Sequence, residues 1–69
     1  MRRTVMKPVE TLKVRDFVRL ADDTRYFRVL DIDPPLNGRD YYRISLRSDD
    51  GLSTTLVRTE DDSVAVWVS

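Results

Sequence analysis

The amino-acid sequence predicts a small all-β protein of five short antiparallel strands, with the N-terminal segment as a candidate sixth. Three observations lead to this prediction. Apolar and polar residues alternate with a period of two along most of the chain, as they do in half-buried strands. Turn-forming pairs such as Asn37-Gly38 and Asp50-Gly51 recur at short intervals. The chain has 69 residues, so we expect a single domain spanning residues 1–69.

The first two of these strands are predicted before the Pro34-Pro35 pair. Alternation over residues 14–20 indicates one strand and alternation over residues 25–32 another, with the acidic turn ADDT between them. Both faces of the second strand carry bulky side chains. The pattern therefore leaves the register open near residues 30–32 and favours a bulge at Leu30 or Asp31.

The middle of the chain is divided by two turn signals. A strand over residues 41–47 follows the loop DPPLNGRD, because proline cannot continue a central strand and Asn-Gly favours a turn. Asp50-Gly51 indicates a tight hairpin with a type I′ turn, in which both central residues have positive φ. A strand over residues 52–58 completes this hairpin.

The two ends of the chain supply the remaining strands. The T-x-x-D pattern from Thr59 to Asp62 has the form of a helix-capping box and predicts a single 3-10 turn before the last strand, residues 64–68. Residues 4–9 form a candidate strand, and Pro8, which lacks a backbone donor, confines it to the edge of the sheet. We accordingly treat residues 1–8 as a loose N-terminal edge segment. The inward positions of the strands predict a core of Val18, Leu20, Phe27, Val29, Tyr42, Ile44, Leu46, Leu56, Val64 and Val66.

The stretch from Leu12 to Val18, LKVRDFV, resembles the L-x-V-G-D-x-V opening of SH3-like barrels, including KOW and Tudor-like modules. The resemblance extends over residues 9–68, through a meander with a long second loop, a tight third turn and a helical turn before the last strand. It implies that the chain is one SH3-like β-barrel. Arg15 stands where the family has glycine, and the glycine and lysine of nucleic-acid-binding KOW loops are missing. In style the chain also resembles small proteins of actinobacteria and their phages, a likeness that implies no activity.

A barrel is also reasonable on physical grounds, because bending the meander back on itself covers strand edges that an open sheet would expose. The main alternative is an OB-fold. That fold usually has more residues and a longer helix between its third and fourth strands, where this chain has only the turn Asp49-Asp50-Gly51.

The composition argues against several kinds of chemistry. The chain contains neither cysteine nor histidine, which removes the commonest general base and the commonest metal ligands. Asp31 and Asp33 form a D-x-D pair, but the spacing of a calcium loop is absent, and we interpret them as turn residues. We predict no enzyme activity, no cofactor and no bound metal. Twelve basic residues balance twelve acidic ones and no apolar run is long enough to span a membrane, so we expect a cytoplasmic protein without a membrane partner.

The candidate functional residues are the basic and aromatic side chains at outward positions of the strands. They are Tyr26, Arg28, Tyr41, Arg43, Arg47 and Trp67. Arginine interleaved with aromatic residues is typical of protein-interface hot spots and of surfaces that stack bases, and also of ordinary solvated strands. Our first functional hypothesis is a binding or adaptor module that contacts another protein through this face. The alternatives are nucleic-acid binding through the same face and a structural subunit of a homo-oligomer or phage assembly.

Overall fold

The computed structural model describes residues 3–21, 23–36 and 38–68, which form one antiparallel sheet. Its strands are β1 (Arg3–Pro8), β2 (Phe17–Arg19), β3 (Phe27–Asp33), β4 (Tyr41–Ser48), β5 (Ser53–Thr59) and β6 (Ser63–Val68). They lie in the order β1-β6-β2-β3-β4-β5. The all-β class is confirmed, and the strand count is six. Among the described residues the edge strands β1 and β5 do not pair with each other, so the sheet is not closed.

The N-terminal segment is an edge strand, as its proline predicts. Residues Arg3–Pro8 pair along their whole length with β6, from Arg3 opposite Val68 to Pro8 opposite Ser63. The described part of this segment is therefore attached to the sheet rather than loose; residues 1 and 2 lie outside the described residues. None of the helical structure in the described residues has the length or apolar character of a membrane span.

The core occupies the inner face of the sheet. Alternation identifies eight of its members correctly, whereas Leu20 and Tyr42 are only partly buried. Two further core residues, Val9 and Leu12, lie in the connection between β1 and β2 and are 1% and 6% exposed. A period-two pattern misses them because the connection is not a strand. The buried residues are Val9, Leu12, Val18, Phe27, Val29, Ile44, Leu46, Leu56, Val64 and Val66.

The single 3-10 helix spans Val9–Thr11, between β1 and β2. The prediction of a 3-10 turn before the last strand is wrong. Only residues 60–62 separate β5 from β6, and they form a tight turn in which the Asp62 N–H donates to the Thr59 carbonyl at 3.0 Å. The carboxylate half of the proposed capping box is present, since the Asp62 carboxylate accepts the Thr59 N–H at 3.0 Å.

The predicted bulge lies in β3. The pairing of β3 with β4 shifts between Val29 and Asp31, so Leu30 has no direct partner. After the shift, Asp31 and Asp33 lie opposite Ser45 and Arg43. The bulge thus keeps Val29 in the core and turns both aspartates of the D-x-D pair toward the outer face.

The hairpin between β4 and β5 lies where Asp50-Gly51 predicts it, but its turn is of another type. Gly51 has φ of 94°, whereas Asp50 does not have positive φ as a type I′ turn requires. The Gly51 N–H donates to the Ser48 carbonyl at 3.1 Å, and the Ser48 N–H donates to the Leu52 carbonyl at 2.8 Å. This is the pattern of a three-residue hairpin loop with a glycine bulge.

The LKVRDFV stretch forms a turn in which Arg15 has φ of 83°. The Asp16 carboxylate accepts the Lys13 N–H at 2.9 Å and the Lys7 ammonium at 3.0 Å. The Arg15 N–H donates to the Val29 carbonyl at 2.9 Å. These contacts explain why an arginine occupies a conformation that favours glycine.

Candidate binding surface

Three strands place an aromatic residue and two arginines in one row across the outer face. Phe17 of β2 lies opposite Arg28 of β3, and Arg28 lies opposite Arg47 of β4. The residues that flank Arg28 in sequence, Phe27 and Val29, are buried. Side chains alternate across a strand, so all three members of the row point away from the core.

This row borders a shallow cavity of about 330 Å³, which we call the outer-face groove. Its lining includes Phe17, Tyr26, Arg28, Leu30, Arg47 and Asp49. Phe17 and Leu30 are 44% and 47% exposed, so the groove presents two large apolar side chains to solvent beside the arginines. Apolar surface of this kind next to charged groups is characteristic of contact sites.

An aromatic cluster forms one wall of the outer-face groove. The rings of Phe17 and Tyr26 meet edge to face at 6.4 Å, and those of Tyr26 and Trp67 at 4.9 Å. Arg19 lies over the Trp67 ring at 5.8 Å. The Trp67 indole Nε1 is buried and has no hydrogen-bond partner within the described residues. Trp67 thus contacts Tyr26 without being part of the groove lining.

The two arginines of the groove are electrostatically unpaired. Within the described residues, neither Arg28 nor Arg47 forms an ion pair. Like charges directly opposite each other on neighbouring strands destabilise a sheet by roughly 0.2–1 kcal/mol. Asp49 contributes one carboxylate to the lining. The groove therefore keeps an excess of positive charge that an acidic group of a ligand can neutralise.

The remaining predicted site residues, Tyr41 and Arg43, lie at the other end of β4. Arg47 lies six positions after Tyr41, which corresponds to about 20 Å along a strand. Arg43 lies opposite Asp33. Arg39 covers the Tyr41 ring at 5.3 Å and pairs with Asp33 at 3.2 Å. The structure thus brings Tyr26, Arg28 and Arg47 together, with Trp67 behind them, and leaves Tyr41 and Arg43 in a separate, partly neutralised patch.

An ion-pair cluster joins two loops near the Asp49 end of the groove. The Arg25 Nε donates to the Asp23 carboxylate at 3.0 Å, and Arg25 Nη1 lies 3.5 Å from the Asp50 carboxylate. The hydrogen bonds from Arg25 lower the pKa of Asp23 to about 2, and the same contact raises the pKa of Arg25. The Ser48 hydroxyl, which donates to Asp50, is the main cause of the lowered pKa of that carboxyl. The cluster ties the β2–β3 loop to the β4–β5 turn.

Three residues of the groove, Phe17, Leu30 and Asp49, are not among the site residues that the sequence predicts. The signal for the first two is present in the pattern, since both are large apolar residues at outward positions of strands. Asp49 follows β4 in the turn, and only the hairpin geometry brings it to the groove. No group of three or more potential metal ligands is found within residues 3–21, 23–36 and 38–68.

Comparisons of the chain with protein-family models, with curated proteins and with solved structures give no match. The geometry of the surface is therefore the basis for the functional argument.

Proposed function

We propose that the protein is a small non-enzymatic binding module that contacts another protein through the outer-face groove. One observation carries this proposal: exposed Phe17 and Leu30 lie beside the unpaired arginines Arg28 and Arg47 in a single concavity. Aromatic and arginine side chains that become desolvated together are the usual anchors of protein interfaces. The aromatic cluster behind them is already packed, so little ordering is needed on binding.

A protein partner fits this surface better than a nucleic acid. Single-stranded nucleic acid is held by a positively charged groove that follows its backbone over several nucleotides. Here the basic residues of the outer face are interrupted by Asp31 and Asp33, and the second patch is partly neutralised by the Arg39–Asp33 pair. Arg28 and Arg47 face each other without an ion pair in the described residues, which suits a compact acidic group flanked by apolar side chains.

The non-enzymatic part of the proposal is supported by the groove's own side chains. The lining of the groove includes one serine, Ser48, and its oxygen is engaged with Asp50 and with the Leu52 N–H. The chain has no histidine that could activate it.

We further propose that the sheet is an open relative of the SH3-like barrel. Two features support this. The strands β2 to β5 form a continuous meander, and β6 returns to pair with β2, the first strand of that meander. The turn at Arg15 has a φ of 83°, which suits the glycine found in the family's opening motif. In this description, β1 is an addition outside β6.

A comparative capture experiment tests the proposed function. Immobilised wild-type protein and the variants Phe17→Ala and Arg28→Ala are exposed to the same host lysate, and the retained proteins are quantified by mass spectrometry. We expect one or more proteins that the wild type retains and both variants lose, by about tenfold or more for a hot-spot residue. Val57→Ala, an exposed apolar substitution on the same face but outside the groove lining, is the matched control and retains them.

A parallel titration with single-stranded DNA separates the nucleic-acid alternative. The proposal predicts no binding that distinguishes wild type from Arg28→Ala. Affinity that falls steeply with salt and is lost in Arg28→Ala would instead identify the groove as a nucleic-acid site. Equal loss of captured proteins in Val57→Ala and Phe17→Ala would contradict the assignment to the groove.

A further inference from the structure

The two arginines of the outer-face groove are held side by side by the β3–β4 ladder. The Val29 N–H and carbonyl are both bonded on the β2 side of β3, and the Ser48 N–H is bonded on the β5 side of β4. Backbone groups alternate along a strand, so Arg28 and Arg47 direct theirs toward each other and form a hydrogen-bonded pair. The Cα atoms of such a pair lie about 5.5 Å apart, and both side chains leave the same face of the sheet.

The charged groups nearest this pair do not neutralise it. The groove lining contains Asp49, and Asp31 follows Arg28 on the outer face beyond the bulge. Within the described residues, neither carboxylate forms an ion pair with Arg28 or Arg47. On the β5 side, the residue opposite Arg47 is the uncharged Ser53. The N–H donors of both guanidiniums are therefore open to a ligand.

A phosphate monoester matches two neighbouring guanidiniums better than a carboxylate does. Arginine binds a carboxylate through two parallel N–H···O bonds, so one carboxylate occupies a single guanidinium. A phosphate monoester carries a charge of about −1.5 to −2 at pH 7 and three acceptor oxygens, which two guanidiniums can share. Clusters of arginine recognise phosphorylated peptides in this way. The pairing of Arg28 with Arg47 therefore favours phosphate as the acidic group of the ligand.

The apolar residues of the groove indicate what carries the phosphate. Phe17 lies in the same row as Arg28, one strand or about 4.8 Å away, and Leu30 lies two positions further along β3. Both side chains are close to half exposed, and the contact with Tyr26 holds the Phe17 ring. An aromatic ring bonded to the phosphate covers these two side chains while the phosphate reaches the arginines. A serine or threonine phosphate has no ring to cover them.

We propose that the outer-face groove binds a phosphorylated tyrosine of the partner protein, with the phosphate between Arg28 and Arg47 and the ring against Phe17 and Leu30. This inference rests on the proposed function, because it names the feature of the partner that the groove recognises. It also implies that phosphorylation of the partner controls the contact.

An NMR titration with a small probe tests the inference before any partner is known. Isotopically labelled protein is titrated with N-acetyl-phosphotyrosine amide and with three analogues, which carry phosphoserine, tyrosine or para-carboxyphenylalanine instead. We expect the phosphotyrosine probe to shift the backbone amide signals of Phe17, Arg28 and Arg47 in a saturable manner. Each analogue should bind at least about tenfold more weakly.

Each probe removes one part of the proposed ligand. No binding of the phosphotyrosine probe, or shifts that map outside the groove, would overturn the inference. Equal affinity for the phosphoserine probe would remove the role of the ring. Equal affinity for the para-carboxyphenylalanine probe would identify the groove as a site for acidic peptides instead, and would also overturn the inference.

Arg47→Lys is the sharpest variant, because lysine keeps the charge but lacks the planar fork of donors. We expect it to weaken binding of the phosphotyrosine probe by about tenfold. Arg43→Lys, on the same strand but opposite Asp33, is the matched control and stays within about twofold of wild type. The same spectra report whether each variant is folded. Equal losses in the two variants would contradict the position of the phosphate.

The pH dependence of probe binding gives a readout that needs no variant. The second ionisation of a phosphate monoester has a pKa of about 6, so the dianion becomes a monoanion below that pH. Among the described residues, the ionisable side chains of the groove lining are Tyr26, Arg28, Arg47 and Asp49, and the chain has no histidine. We expect binding to weaken between about pH 7 and about pH 5. An affinity that stays constant over this range would show that the groove does not select the dianion.

The inference and the proposed function fail separately. If the capture experiment finds a partner that Phe17→Ala and Arg28→Ala lose, but the phosphotyrosine probe does not bind, the proposed function stands and the inference is overturned. If neither the probe nor any captured protein distinguishes these variants from wild type, both are overturned.

Discussion

At the scale of single residues, the positive φ of Arg15 turns the chain into β2 and strains the backbone at that position. The turn is held by the Asp16 carboxylate and by the backbone bond from Arg15 to Val29. A non-glycine residue in the left-handed region costs roughly 1–2 kcal/mol of stability. Glycine avoids this cost, but it loses more conformational entropy on folding, which offsets part of the gain.

We therefore predict that Arg15→Gly stabilises the protein by about 0.5–1 kcal/mol. The measurement is the free energy of unfolding in urea. Lys13→Gly is the matched control, since Lys13 does not have positive φ, and it should destabilise. If Arg15→Gly lowers stability as much as Lys13→Gly does, the φ at residue 15 is not a source of strain.

The Asp23–Arg25 pair makes stability depend on acid. The pKa of Asp23 is about 2 in the folded chain, below the ordinary aspartate value of 3.8, so the folded state favours the ionised carboxylate. The pair's contribution is fully present above the ordinary value and is lost as the pH falls toward 2.

Asp23→Asn should accordingly show a smaller loss of thermal stability than wild type between pH 4 and pH 2. Asp61→Asn, which removes a turn carboxylate without a bonding partner in the described residues, serves as the control and should follow the wild-type curve. Identical curves for wild type and Asp23→Asn would show that the pair does not contribute.

At the scale of elements, the 3-10 connection between β1 and β2 is part of the core and not merely a link. Val9 and Leu12 lie at its two ends and close the inner face of the sheet. Removing a buried leucine side chain leaves a cavity that a small core cannot easily fill.

Leu12→Ala is expected to lower the free energy of unfolding by about 2–4 kcal/mol, a large part of the stability of a chain this short. Urea titration measures it. Leu36→Ala, whose side chain is 54% exposed, is the control and should change stability by less than about 0.5 kcal/mol. A similar small loss of stability in both variants would show that Leu12 does not contribute to the core.

Most of the strands could be predicted because they follow a simple alternation, and the bulge at Leu30 because two bulky faces cannot both be satisfied by an unbroken strand. The strand predicted over residues 14–20 is shorter, Phe17–Arg19, because the chain turns at Arg15. Val9 and Leu12 could not, since no periodic pattern identifies core residues in a 3-10 segment. The type of turn at Asp50-Gly51 also escaped prediction, because the same pair fits both a two-residue loop and a loop with a glycine bulge.

The neighbours of each site residue could not be predicted, because the sequence does not give the register in which the strands pair. Alternation places Arg28, Arg43 and Arg47 on the outer face, but only the register shows that Arg28 meets Arg47 and that Arg43 meets Asp33. A shift of pairing by two residues would have kept every side chain on its face and changed every neighbour.

At the scale of the whole molecule, one sheet separates two tasks. Its inner face holds the core, and its outer face carries the groove. The outer face is itself divided, because Asp33 lies opposite Arg43 and pairs with Arg39 at the Tyr41 end of β4, whereas Arg28 and Arg47 face each other at the Arg47 end. This division is the basis for assigning partner contact to the groove.

The most direct test of this assignment compares two arginines on the same strand. The affinity of a captured partner is measured by isothermal titration calorimetry for wild type, Arg47→Ala and Arg43→Ala. We expect Arg47→Ala to weaken binding by about tenfold or more, while Arg43→Ala stays within about twofold of wild type. Equal losses in the two variants, or a larger loss in Arg43→Ala, would contradict it.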